Sequence, residues 1–237
     1  MIKDPAFYNK ESAQYSAKRY PVVATNYIQF FFKKRLSLTL SHLRSLFGKS
    51  NGLNLLEVGC ADGVVLRDIQ KKLPAVFSGM TGIDTAKDMI VAAASLDSTH
   101  KMKFYVRGEE PVQTYDTIVE IGVANYADFD TELVYASEHL KVGGAYILSI
   151  AGNDSLNARL GGGVGYNNFL SYAEYQKKIR AVFDIKKIIP VGFHVPFIWR
   201  VPFIARCIQP IVELIFLHTL PRLAHEKIFF LKKKNVL

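Results

Sequence analysis

The chain reads as an α/β protein with a doubly wound, parallel sheet, and two stretches at fixed spacing say so. Residues 55–63, Leu-Leu-Glu-Val-Gly-Cys-Ala-Asp-Gly, combine a short apolar strand with a tight turn of small residues that opens a helix. Some 20 residues on, Thr81-Gly-Ile-Asp84 reads as a second strand ending in a carboxylate. Strand, glycine turn, helix and a strand ending in Asp form the opening of a doubly wound nucleotide-binding unit. A chain of 237 residues, 49% hydrophobic and 22% charged, is globular and long enough for one sizeable core.

The elements follow in chain order. Residues 7–20 carry Tyr8, Tyr15, Arg19 and Tyr20 in a helical pattern that Pro21 breaks. Ile28, Phe31, Phe32, Leu36, Leu40, Leu43 and Phe47 then recur at helical spacing, with Gly48 and Asn51-Gly52 as the stop. After the first strand a helix is expected over Gly63–Lys72, with Asp62 at its N-cap. Another helix starts near Thr85, and Met89 falls one turn into it, facing either the core or a ligand. Glu120 and Tyr146 lie near strand ends, where solvated edges are common. Residues 161–170 hold four glycines in five positions, which suits a linker or a mobile loop. Ser171 with Glu174 forms a capping box for a helix over Tyr172–Val182, followed by a strand near Asp184–Val191. Between Pro190 and Pro221 the chain is apolar and aromatic, but Arg200, Arg206, Glu213 and internal prolines interrupt it, so no transmembrane span is expected.

The glycine turn bears on the ligand. A dinucleotide site needs Gly-x-Gly-x-x-Gly so that a pyrophosphate can sit on the helix N-terminus. Counting from Gly59, this chain has Ala61 and Val64 where that pattern needs glycine. S-adenosylmethionine (SAM) has no phosphate; it carries an ammonium, a carboxylate and a sulfonium. Glu57 before the turn suits the ammonium, and the small residues Gly59, Ala61 and Gly63, with Cys60 between them, permit close backbone approach.

These residues resemble the class I SAM-dependent methyltransferases, well over roughly residues 50–155. The resemblance implies a mostly parallel seven-stranded sheet, with a helical cap over residues 1–50 and the SAM-binding domain over 51–237. An apolar helical insertion is expected at about 194–222, before a last, antiparallel edge strand at Ala224–Lys232. The family's turn is usually acidic-x-Gly-x-Gly-x-Gly, so Ala61 is a departure. Asp84 matches the carboxylate that grips the ribose hydroxyls, with Thr85 beside it and Met89 near the adenine. Glu109, after a strand Met102–Val106, falls where the family has an acidic group by the adenine amine. Tyr115–Gly122 resembles the fourth strand, whose end at Gly122 lines the cofactor. Leu140–Ser149 resembles the following turn and fifth strand. By the same resemblance, Tyr15 and Arg19 meet the methionine end of SAM, Arg19 through its carboxylate. S-adenosylhomocysteine (SAH) is then the product, and no metal is expected.

Charge is uneven. Residues 1–50 hold nine basic against two acidic residues, residues 51–170 nine against fifteen, and residues 171–237 twelve against four. Basic flanks around an acidic centre suggest an anionic partner: a phosphorylated substrate, a membrane surface or RNA. A solvated basic face is the plain alternative. With two cysteines, Cys60 and Cys207, and no signal-peptide pattern at the N-terminus, a cytoplasmic location is expected, with peripheral contact at the inner membrane face. The apolar insertion fits a lipidic acceptor, shallow membrane contact, a homodimer interface or an internal lid.

Methyl transfer to a hydroxyl gains from a general base, and His194 is the candidate, in the expected substrate region beyond a strand. No Asn-Pro-Pro-Tyr or Asp-Pro-Pro-Tyr follows the fourth strand, which disfavours exocyclic amines of nucleic-acid bases. The expected activity is O-methylation of a small or lipid-linked molecule, such as a sugar, a quinone-like compound or a lipid intermediate. An RNA methyltransferase using the basic flanks and a non-catalytic SAM-fold scaffold are the alternatives.

Overall fold

The computed structural model describes residues 5–159, 169–195 and 197–234; the glycine-rich stretch 160–168 lies outside them. Seven strands form one sheet: β1 (Leu53–Val58), β2 (Phe77–Asp84), β3 (Met102–Val106), β4 (Tyr115–Ile121), β5 (Leu140–Ile150), β6 (Phe183–Val191) and β7 (Glu226–Lys233). Their order is β3-β2-β1-β4-β5-β7-β6. The first five pair in parallel, and β7 runs antiparallel to both β5 and β6. Chain order reverses between β1 and β4, and the carboxyl ends at that switch point are where open α/β sheets bind ligands.

The expectation of an edge position for the last strand is corrected: β7 is interior and β6 is the edge. Its run Lys227–Leu231 is buried on both faces, which a continuous apolar sequence requires of a central strand. The turn expected within Leu140–Ser149, ahead of the fifth strand, is also absorbed into β5. That strand begins directly after helix α6, and its pairing slips between Tyr115 and Thr117, with Gly143 at φ +74° taking up the irregularity.

Helices cover both faces. The N-terminal elements are α1 (Pro5–Glu11), α2 (Tyr15–Arg19) and α3 (Tyr27–Phe47). Asn26 caps α3 by accepting from the Gln29 N–H at 3.0 Å. Between strands lie α4 (Val64–Lys72), α5 (Lys87–Leu96) and α6 (Phe129–His139). After β5 come α7 (Leu156–Arg159), α8 (Tyr172–Val182) and, between β6 and β7, α9 (Pro202–Thr219). The Ser171–Glu174 capping box is formed as expected. One face of the sheet packs Leu55, Val119, Ile147, Ile228 and Phe230 against Phe31, Leu36 and Leu43 of α3 and Leu66 and Ile69 of α4. The other packs Leu56, Ile118, Leu148 and Phe229 against Leu133 of α6 and Ile179 of α8. Alternation along each strand sends neighbouring residues to opposite layers. Helix α3 is therefore a core helix, and α1 and α2 are the parts of the N-terminal segment that reach the ligand side.

Glu120 and Tyr146 are not solvated. Both are buried, and the Tyr146 hydroxyl donates to Glu120. Burial pushes the Glu120 carboxyl up to about 8, with Glu132 adding repulsion. A carboxyl raised from 4.5 to about 8 in the folded state holds its proton there, so its stabilising share is full below the unfolded value and is lost as pH rises through about 8. The thermal midpoint is expected to fall over that window. Glu120→Gln should flatten the fall, and an equally steep fall in the variant would assign it to other groups.

Candidate cofactor cleft

The strand-end turns build a cleft of about 320 Å³ at the switch point. The β1 turn contributes Val58, Gly59 and Ala61, the end of β2 contributes Asp84 and Thr85, and α5 contributes Met89. The end of β4 and the segment after it contribute Ile121, Gly122, Val123, Tyr126 and Ala127, Arg107 enters from the end of β3, and Tyr8 and Tyr15 close it from α1 and α2.

The β1 turn is held from below. The N–H groups of Gly59 and Cys60 both donate to the Ile83 carbonyl, at 2.8 and 3.0 Å. Gly59 has φ +70°, and a Cβ there would lie 2.2 Å from Val123 Cγ2, so only glycine permits the turn to meet the β4 segment. Ala61 also sits in the left-handed region, at φ 49°. A side chain there costs about 1 kcal/mol, the local consequence of alanine where glycine is usual. Asp84 stitches the turns together: one oxygen accepts from Ala61 N–H and the other from Ala86 N–H, each at 2.9 Å. Burial nonetheless raises its carboxyl, against these bonds.

Other expected residues take different places. Gly63 is at φ +75°, packs against Phe104 and Ala93, and is itself the N-cap position of α4. Asp62 is therefore not the expected cap: it is buried, bonds weakly to Val64 N–H at 3.3 Å, and accepts from both the N–H (2.9 Å) and the hydroxyl of Ser16 on α2. Arg67 reaches the same Ser16 hydroxyl at 3.2 Å. This clasp, between residues 46 positions apart, sets α2 and Tyr15 over the cleft. Glu57 and Cys60 are buried behind the lining. Burial, reinforced by Asp84 and Asp62, pushes Glu57 well above the carboxylate range, and its Oε2 has no hydrogen-bond partner. Burial likewise raises the Cys60 thiol.

Arg19 pairs with Glu11 at 3.0 Å and lies over the Tyr15 and Phe32 rings, outside the lining. Glu109 is exposed and also outside it. The residue of that loop facing the cleft is Arg107, fixed by a bidentate pair with Glu132 at 2.7 and 2.9 Å. His194 lies against the Tyr27 ring, centroids 4.5 Å apart, and is not in the lining. Sequence reasoning did not single out Tyr8, Arg107, Val123, Tyr126 or Ala127 as ligand-facing. Tyr8 had a signal, an aromatic seven residues before Tyr15 in the same helical pattern.

Just behind Gly122 lies a buried polar network. Gly122 N–H donates to Ser149 Oγ at 2.8 Å, and Ser149 donates to Glu226 at 2.8 Å. Arg35 donates from Nη1 to both Glu226 oxygens at 3.0 Å, and its guanidinium occupies the space a Gly122 Cβ would need.

The cleft fits SAM on its own chemistry. Glycine turns at Gly59 and Gly122 and the carboxylate of Asp84 line it together, and the β1 turn has Ala61 and Val64 where a dinucleotide turn needs glycine. No metal-ligand cluster occurs among the described residues.

No known family model matches the chain. A malonyl-acyl-carrier-protein O-methyltransferase of Bacillus anthracis is 27% identical over 144 residues, covering 58% of this chain and 53% of that protein. The chain thus spans about half the length of the curated relatives it matches. Magnesium protoporphyrin IX methyltransferase from Synechocystis PCC 6803, solved with SAH, superposes with a TM-score of 0.69 at 14% identity, over 97% of this chain and 98% of that one. The N-methyltransferase NodS from Bradyrhizobium japonicum WM9, also with SAH, gives 0.66 at 13% identity over 97% and 98%. The chain has the fold of the class I SAM-dependent methyltransferases.

Proposed function

We propose that this chain transfers the methyl group of SAM to an oxygen of a small or lipid-linked acceptor. The observation that supports this most is Asp84 at the end of β2, bonded to the Gly59–Ala61 turn and lining with it and Gly122 a single cleft of about 320 Å³. Each Asp84 oxygen accepts one backbone N–H and keeps a second lone pair for a ribose hydroxyl. Met89 and Thr85 flank the nucleoside, and the turns take the methionine portion, with Tyr8 and Tyr15 above it. Glu57, Cys60 and Gly63 support the turn from behind. SAM supplies a methyl already activated by a sulfonium, so the protein's task is to hold an acceptor lone pair in line with it.

The lining of the cleft supports one acceptor class. Asp84 is the one carboxylate and there is no imidazole among the described lining residues. Burial pushes the phenols upward, Tyr8 to about 12, with Tyr15 and Tyr126 also raised, so near neutral pH they donate hydrogen bonds and do not accept protons. The stretch 160–168 contains no acidic residue and no histidine. An acceptor that arrives ionised, a carboxylate above all, needs no base. A malonyl group, named for the Bacillus anthracis relative, has that chemistry.

Incubation with methyl-labelled SAM tests the reading, using carboxylate acceptors and matched alcohols from about pH 6 to about pH 9, above the ordinary carboxylate range. The expected result is label in the carboxylates at a rate flat with pH. Label only in the alcohols, rising with pH and lost in His194→Ala, would replace this reading with base-assisted hydroxyl transfer.

A further inference from the structure

Helix α9 is inside out. Two mid-helix polar side chains face the protein: Gln209 and Glu213 are buried, Gln209 Nε2 donates to the Phe193 carbonyl at 2.6 Å, and Glu213 accepts from the Phe193 N–H at 3.2 Å. Its large apolar side chains face outward, with Phe203 70%, Leu214 64%, Ile211 60% and Ile215 55% exposed, and Ile204 and Ile208 between them. These positions fall on one helical stripe. A surface helix of a globular protein ordinarily carries the opposite arrangement. Arg206 ties α9 to the Ala24 carbonyl at 3.2 Å, beside Val22, 92% exposed, and Val23. Two exposed valines thus lie on the segment bonded to α9.

The charges around this face share one sign. Within residues 192–225 the charged residues are Arg200, Arg206, Arg222 and a single carboxylate, Glu213, which points inward. Lys33 lies against the Val22 carbonyl. A second copy of the chain packed here by two-fold symmetry would bring these cationic residues toward themselves, with no exposed carboxylate within residues 192–225 to answer them. An anionic lipid surface answers it, and the apolar stripe enters the acyl boundary. No helix among the described residues is long and apolar enough to cross a membrane, so the contact is in plane.

We propose that the outer face of α9, with Val22 and Val23 beside it, docks this protein onto an anionic bilayer surface. The inference is independent of the methyl-transfer reading. The test is flotation of the full chain with equimolar phosphatidylcholine–phosphatidylglycerol vesicles and with phosphatidylcholine alone, at low and high salt. The chain should float with the anionic vesicles at low salt. Ile211→Asp/Leu214→Asp, at exposed positions, should lower partitioning by at least about tenfold. Arg200→Gln and Arg222→Gln should each lower it about fivefold. Thermal midpoints within a few degrees of the parent would show that the variants fold. A chain that stays unbound with anionic vesicles, or an aspartate variant that floats as well as the parent, would overturn the proposal. A dimer in sedimentation velocity that Ile211→Asp dissociates, without vesicle binding, would overturn it in favour of a second copy.

Discussion

Asp84→Ala is expected to weaken SAH binding by about a hundredfold or more, because two hydroxyls would lose a charged acceptor worth about 1.5–3 kcal/mol each. The carboxylate also closes the Ala61 and Ala86 N–H groups, so the same change should cost stability, about 1–3 kcal/mol for each donor left buried. Asp84→Asn separates the effects. Its amide oxygen keeps one backbone acceptor while the charge is lost, so affinity should fall with a smaller loss of stability. Calorimetric affinity and thermal midpoint, measured on both variants, check this. Unchanged affinity in either would remove Asp84 from the ribose position.

The second large effect is at Glu226. Arg35 and Glu226 are a buried pair joined through Ser149 to the Gly122 turn. Glu226→Ala leaves a guanidinium buried without its counter-charge, which costs about 3–5 kcal/mol. For a chain of this size the midpoint should drop on the order of 10 °C. Arg35→Met combined with Glu226→Leu should recover most of that drop, since apolar replacement of both partners removes the unpaired charge. A midpoint for Glu226→Ala within a degree or two of the parent would show that the pair is not what holds α3 against β7. Because Gly122 lines the cleft, Glu226→Ala should also loosen SAH binding, while the double variant restores the midpoint more fully than the affinity.

What the sequence revealed is local. The Leu55–Gly63 turn, the strand ending at Asp84, the β3 limits Met102–Val106 and the Ser171–Glu174 box depend on neighbours within a few residues, and the structure has these elements at the expected places. What it hid is long-range. Ser16 and Asp62 are 46 residues apart and Arg35 and Glu226 are 191 apart, and no periodicity joins them. Glu120 read as a strand-end acid because its partner Tyr146 lies on the neighbouring strand. The interior position of β7 was legible in principle, since Ile228-Phe-Phe-Leu231 has no polar alternation. For α9 the spacing identified an apolar helical insertion but not its orientation. Gln209 and Glu213 are a polar minority, and only their bonds to Phe193 show that they point inward.

Whether the cleft at Gly59, Asp84 and Gly122 holds SAM is decided by calorimetric titration of the purified chain with SAH, with NADH as control. SAH should bind saturably with one site per chain, and NADH should not bind. Binding of NADH, or of neither compound by a folded protein, would contradict the SAM assignment.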